Sequence, residues 1–298
     1  MSAKSALNGK AYEFAYILAL SKIKSVKIAK NNAYNVALNA FNTLLEPEKE
    51  LFLASATAGI SKILEYEPNL TEPILATMQD DKNGEFGDVR DIILQSDKHQ
   101  IGLSIKHNHF AVKHSRLSKT LDFGKKWYDL PCSSEYFFQI SPIFEMLNRL
   151  KGTKWSELKD KQNLVYLPIL NAFKDEILSQ NKSHNIASKM VEYMLGKFDF
   201  YKLIGNDKQK ITQILVFNLR GNLGKNSLTI LPISKLPNRI ISLDFKQNSK
   251  NTLELYLDNG WSFKFRIHNA STMIEPSLKF DIGFLGVPAT IVSFNTKF

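Results

Sequence analysis

Cysteine is almost absent: among 298 residues only Cys132 carries a thiol. That excludes an internal disulfide framework and any zinc site built from thiolates, both of which need several sulfurs, and a reducing cytoplasm fits best. Long apolar runs are lacking too. Residues 1–10 carry positive charge, but the apolar stretch after them contains Glu13 and Lys22 and is far too short to span a bilayer. We therefore expect neither a signal peptide nor a transmembrane helix, and no membrane partner. There is no internal repeat and no low-complexity tract. Acidic residues run short, 29 against 39 Lys and Arg, and the net charge of +10 favours a polyanionic partner, with nucleic acid the first candidate. Charge alone does not decide the matter, because many basic proteins bind nothing anionic.

What is present is the composition of an ordinary globular protein, 44% hydrophobic and 23% charged. The length allows one large domain or two lobes, and two lobes are expected. Ala11, Phe14, Ala15, Leu18 and Ile23 recur at helical spacing, which predicts a helix over 7–28 entered through Asn8-Gly9. A second helical region spans 33–65, broken near Glu46-Pro47, where Pro47 opens a new helix. Two prolines and the run Asp80-Asp81-Lys82-Asn83-Gly84 make 68–87 a loop. Two antiparallel strands follow over 89–95 and 101–106, joined by the polar turn 96–100. Residues 109–126 are polar and basic. Helices are expected over 127–150, one of them starting at Ser141-Pro142, and through 155–201. Beyond about residue 204 the pattern turns to short alternating strands, with a hairpin over 253–268 at Asn259-Gly260.

The strongest local constellation is Gly87-Asp88-Val89-Arg90-Asp91-Ile92-Ile93-Leu94, a turn, then Ile101-Gly102-Leu103-Ser104-Ile105-Lys106. Hydrolysis of a phosphodiester needs a divalent cation, and hard cations take carboxylate oxygens. An aspartate at the mouth of one strand supplies them. A lysine on the neighbouring strand orients or deprotonates water and stabilises developing negative charge. Strand alternation puts Ser104 and Lys106 on one face, toward Asp91. Any α/β protein has strands that end in aspartate and strands that bear lysine, so this match needs context.

Asp91, three apolar residues, a hairpin and Ser104-Ile105-Lys106 resemble the PD-(D/E)XK nuclease superfamily. On that resemblance Asp91, with Asp88 as second choice, is the first acidic residue and Lys106 the lysine. Ser104 departs from the pattern, standing where a second acidic residue belongs. Asp88, Glu85 or Glu13 would then compensate, and the segment Gly9-Lys10-Ala11-Tyr12-Glu13 suits a glutamate from a first helix. The context is Lys106-His107-Asn108-His109, then 111–118, then Asp122-Phe123-Gly124-Lys125-Lys126-Trp127. Together these resemble the HaeIII-type family of type II restriction endonucleases over most of the chain.

The resemblance implies an α/β, restriction-endonuclease-like mixed sheet flanked by helices over 1–200 and a β-rich DNA-recognition lobe over 201–298. It implies magnesium held by Asp91, Asp88 and Glu13, and double-strand cutting of double-stranded DNA at a palindrome, GGCC. A homodimer on that site, a cognate DNA methyltransferase as functional partner and a bacterial cytoplasm follow from it. Three alternatives remain: a repair or junction nuclease of the same fold; a non-catalytic sequence-specific DNA-binding protein, which Ser104 would suit; and an RNA-binding or membrane-surface protein that uses only positive charge.

For contacts to DNA the candidates are Lys113, His114, Arg116, Lys125 and Lys126 after the catalytic strand, where a solvated basic loop is the plainer alternative. Further candidates are Lys264, Arg266 and His268, which alternate onto one strand face, with Asn269 and Lys279. A half-solvated antiparallel sheet gives the same alternation for no functional reason. His107, His109 and His114 also invite a transition-metal cluster, but spacing and partners for one are missing, and exposed histidines touching DNA or solvent are expected instead.

Overall fold

Helix α1 runs from Ala3 to Ile23 in a computed structural model that describes residues 3–80, 87–97, 99–108, 112–225 and 230–298. Asn8-Gly9 lies inside this helix rather than at its entrance. A helical glycine is tolerated at about 1 kcal/mol, and nothing comes within 4 Å of where a Cβ on Gly9 would sit. The residues expected as the last helical turn form a strand instead, β1 (Val26–Ala29), whose Val26 and Ile28 are β-branched. Helix α2 (Asn32–Asn42) starts where the Asn31 side chain accepts the Tyr34 N–H. Helix α3 (Glu46–Tyr66) carries Pro47 in its first turn, at the expected break.

The segment 68–87 is not all loop. Its two prolines, Pro68 and Pro73, both precede β2 (Ile74–Met78), which pairs in parallel with β1 and antiparallel with β3 (Ile92–Ser96), burying Ile74, Ala76 and Met78. Strand β4 (His99–His107) is antiparallel to β3 with Ile92 opposite Leu103, as the pattern required. On its other side β4 pairs in parallel with β6 (Phe200–Asn206). Strands β7 (Ile211–Phe217) and β12 (Val292–Lys297) complete a mixed seven-stranded sheet ordered β1-β2-β3-β4-β6-β7-β12. Helix α1 packs on α2, α3 and β4, and Tyr12, Tyr16, Phe52, Ile60, Leu94, Leu103 and Leu203 meet in the core.

A second unit is built on a five-stranded antiparallel sheet ordered β5 (Lys113–Ser118), β11 (Ser277–Gly286), β10 (Ser262–His268), β9 (Thr252–Leu257) and β8 (Ile240–Phe245). The basic stretch after β4 thus contains a paired strand. The β9–β10 hairpin forms as expected, turning over Asp258–Gly260 with Asn259 and Gly260 at φ 57° and 84°. Alternation sends Phe263, Phe265, Ile267, Leu278, Phe280 and Ile282 to one buried face. Trp127 of α4 (Phe123–Tyr128) and Phe173 of α6 (Leu167–Ser183) pack there, with ring centroids 5.6 and 6.0 Å, and 5.6 and 4.9 Å, from Phe265 and Phe280.

Helix α5 (Ser134–Arg149) begins at the Ser133 cap and runs through Pro142, so no helix starts at Ser141-Pro142. The hydroxyl of Ser133 accepts the Tyr136 N–H, and that cap fixes the start earlier than the proline would. Helical structure ends with α7 (Ala187–Leu195), after which Gly196 takes φ 94°, and Phe200 and Tyr201 are strand residues. The compact units are residues 1–110, 196–235 and 289–298, and residues 111–195 and 236–288. The division expected at residue 200 passes through the start of β6, because the seven-stranded sheet draws strands from both halves of the chain. No helix among the described residues is long and apolar enough to cross a membrane.

Candidate active site

Asp91 stands one residue before β3, and backbone pairing pins it on both sides. Its N–H donates to the Leu103 carbonyl at 2.7 Å and its carbonyl accepts the Gln79 N–H at 2.9 Å. The side chain turns toward β4, where Oδ2 accepts the Ile105 N–H at 2.5 Å and the Lys106 ammonium at 3.2 Å. A carboxylate and an ammonium group from neighbouring strands therefore meet.

Glu13 of α1 joins them. It is 6% exposed and accepts from Lys10 Nζ at 3.0 and 3.2 Å. Burial, then repulsion from Asp91, push its carboxyl up to about 8 against the pull of Lys10 and Lys106. Lys106 shows the opposite balance. Burial disfavours its charge, but Asp91 and Glu13 outweigh that and hold the ammonium above its ordinary value. Two carboxylates that cannot comfortably both ionise are what a divalent cation would relieve, and both offer the hard oxygens such a cation takes. Among the described residues no group of three or more His, Cys, Asp or Glu is assembled for a metal.

A stability consequence follows for the cation-free protein. Because Glu13 holds its proton in the folded state up to about pH 8 and the unfolded chain releases it in the ordinary carboxylate range, the protonated group's stabilising contribution is full below that range. It is lost as pH climbs to about 8. Urea melts across that interval should show falling stability, and Glu13→Gln should flatten the fall; an unchanged slope in the variant would clear Glu13 of the effect.

Asp88 is held elsewhere. Its carboxylate accepts from Arg90 Nε and Nη2 at 2.7 Å each and from Gln79 Nε2 at 2.6 Å. Burial opposes its ionisation, but these bonds keep the carboxyl below its ordinary value. Arg90 in turn lies 4.0 Å over the Phe198 ring and fills the space left by Gly102, where a Cβ would fall 2.0 Å from Arg90 Cδ. Ser104 is buried and stands opposite Lys202 of β6 in the strand register. The sequence pattern did not single out Lys202. Its signal was a lone charge in the apolar run Phe200–Ile204, hidden by reading that region as helix. Burial, then the charge of Lys106, push the Lys202 amine down to about 7, with Asp91 acting the other way.

His107 is not an exposed histidine: its ring packs against Phe52 and Tyr12 at 4.6 and 5.1 Å, and Nε2 meets Asp207 Oδ2 at 2.7 Å. Glu85, His109 and residues 81–84 lie outside the described residues.

In the second unit, Lys264 and Arg266 are exposed on β10, with His268 half-buried on the same face. Across the sheet His114 stands opposite Asp281 and Arg116 opposite Lys279. Lys113 points the other way, its ammonium donating to the Tyr193 carbonyl at 2.9 Å and lying 3.8 Å over that ring. Asn269 follows β10 and donates to the Ser271 carbonyl. Lys125 and Lys126 are exposed on α4.

A family model described as HaeIII restriction endonuclease matches residues 9–288. The chain is 50% identical to the type II restriction enzyme HaeIII of Haemophilus aegyptius, with 99% of each chain covered. No solved structure matches.

Proposed function

The chain belongs to the HaeIII restriction endonuclease family, and from that premise we propose that it is a type II restriction endonuclease cutting both strands of duplex DNA at the palindrome GGCC with magnesium. The observation that carries the chemistry is the 3.2 Å contact between Asp91 and Lys106 with the Glu13 carboxylate beside them. Glu13 and Asp91 would hold the divalent cation, which when bound neutralises charge on the attacked phosphate and acidifies water. Asp88, engaged by Arg90 and Gln79, serves to shape the approach to β3.

Lys106 stays charged, so its role is to donate. It orients the attacking water by a hydrogen bond to the oxygen and stabilises the negative charge that grows on the phosphate. Asp91 positions that ammonium and, through the Ile105 N–H, fixes the strand that carries it. In-line attack then breaks the bond to the 3′ oxygen, leaving a 5′-phosphate and a 3′-hydroxyl. The basic residues of the second unit, His114, Arg116, Lys264, Arg266, His268 and Lys279, together with Lys125 and Lys126, supply contacts to phosphates and base edges.

A twofold site suits a homodimer with each subunit cutting one strand. A methyltransferase acting on the same site would protect the host, and the bacterial cytoplasm is where both would work. Digestion of a known plasmid with magnesium, followed by mapping of the ends, is expected to give discrete fragments that all end at GGCC. Fragments ending at another sequence would replace the site; random nicking would favour a repair nuclease. Duplex binding with no cutting would favour the non-catalytic reading.

A further inference from the structure

The exposed face of the five-stranded sheet carries a cluster of cations on β5, β10 and β11, with Glu254 and Asp244 toward β8. Lys264 and Arg266 of β10, Lys279 of β11 and Arg116 of β5 lie on it, and Arg266 stands opposite Asp281 across the β10–β11 pair. Glu254 of β9 faces Lys264 at its far side, and Glu275 approaches Arg116. In the middle of the basic residues one carboxylate is held in place. Asp281 Oδ1 meets His114 Nδ1 at 2.6 Å and Oδ2 meets His268 Nε2 at 2.7 Å. His268 Nδ1 also lies 3.0 Å from the Asn269 carbonyl oxygen, so both ring nitrogens donate when both contacts are made. Burial opposes ionisation of Asp281, yet the two imidazoles hold its carboxyl below the ordinary value.

A fixed anion on a surface meant for phosphates is repelled by them. Over a base edge that donates, by contrast, it has an acceptor's use. Guanine offers only acceptors in the major groove and thymine an acceptor and a methyl, whereas cytosine presents N4–H and adenine N6–H. Asp281 keeps 31% of its side chain exposed, and two histidine bonds leave about half of the four lone-pair positions of a carboxylate open.

We infer that Asp281 is a specificity-determining residue that accepts a hydrogen bond from an exocyclic base amine in the major groove, cytosine N4 at a site made only of G·C pairs. The histidines aim it, and Arg266 beside it suits the acceptor edge of guanine. The inference rests on the proposed restriction activity and names how part of its site is read.

The test is a binding cycle with the full-length enzyme, cation-free, on duplexes carrying the site mapped by plasmid digestion. In one arm each cytosine is replaced in turn by 2-pyrimidinone deoxyriboside, which lacks the amine. In the other arm any adenine is replaced by purine deoxyriboside. At one position the wild-type enzyme should lose roughly 5- to 150-fold in affinity, while Asp281→Ala should lose about two-fold or less on the same change. Binding of Asp281→Ala to a duplex without the site should hold or rise, because a negative charge has gone. Asp281→Asn, which keeps the shape, should show a penalty between the two. Equal penalties in wild type and variants, or indifference of the wild type to every amine, would overturn the inference. So would loss of site-free binding in both variants, which marks a structural role. A wild-type enzyme that prefers no duplex at all would sink the restriction reading itself.

Discussion

An Asp91→Ala enzyme is expected to lose cleavage by about 10³-fold or more while still binding duplex DNA. Four consequences follow. One of the two carboxylates proposed to hold the cation disappears. The Lys106 ammonium loses the acceptor that aims it, and the Ile105 N–H loses its partner, a change that costs about 1–3 kcal/mol when the group is buried. Repulsion on Glu13 also falls, so its carboxyl should titrate lower than about 8. Asp91→Asn keeps an oxygen for the Ile105 N–H and should restore stability without restoring cutting. Single-turnover cleavage under saturating enzyme, alongside a thermal melt, separates the two effects, and near-normal cutting by either variant would remove Asp91 from the mechanism.

Lys106→Ala should suppress cleavage by roughly 10²- to 10³-fold, the scale of losing one preorganised donor to developing charge. Its signature differs from that of Asp91. With the ammonium gone, Glu13 and Asp91 repel each other less opposed, so divalent cations should bind at least as tightly as in the wild type, whereas Asp91→Ala should bind them more weakly. Calorimetric titration with magnesium, or with calcium as a non-cutting substitute, reads this directly. A Lys106→Ala enzyme that cut normally, or that lost cation binding along with cutting, would contradict the role given to the ammonium.

Legibility in the sequence tracked how local each interaction is. The β3–β4 hairpin and the β9–β10 hairpin were visible because an apolar alternation, a polar turn and, in the second case, Asn259-Gly260 lie side by side in the chain. The pairing of Asp91 with Lys106 came with the first of these. Glu13 was one of several candidates, and only packing of α1 on β4 brings it to the others. Strand β2 was hidden behind Pro68 and Pro73, which both precede it, and β1 by the helix before it, since both depend on neighbours remote in sequence. Lys202 was invisible for the same reason: its place beside Lys106 is set by the parallel β4–β6 pair. Pro142 misled because its usual place in the first helical turn is a tendency that the Ser133 cap overrode.

The path of the chain through its two units matters to a cell that must survive its own endonuclease. The polypeptide leaves the first unit after residue 110, returns at 196, leaves again after 235 and returns at 289. A ribosome that has made only the first 195 residues has already placed Glu13, Asp91 and Lys106 in the chain, yet β4 still lacks the neighbour along one edge that β6 provides. The seven-stranded sheet that carries the proposed cutting centre is completed by β12 only after all five strands of the other sheet have been synthesised, so a half-made molecule is ill suited to nick the chromosome beside it.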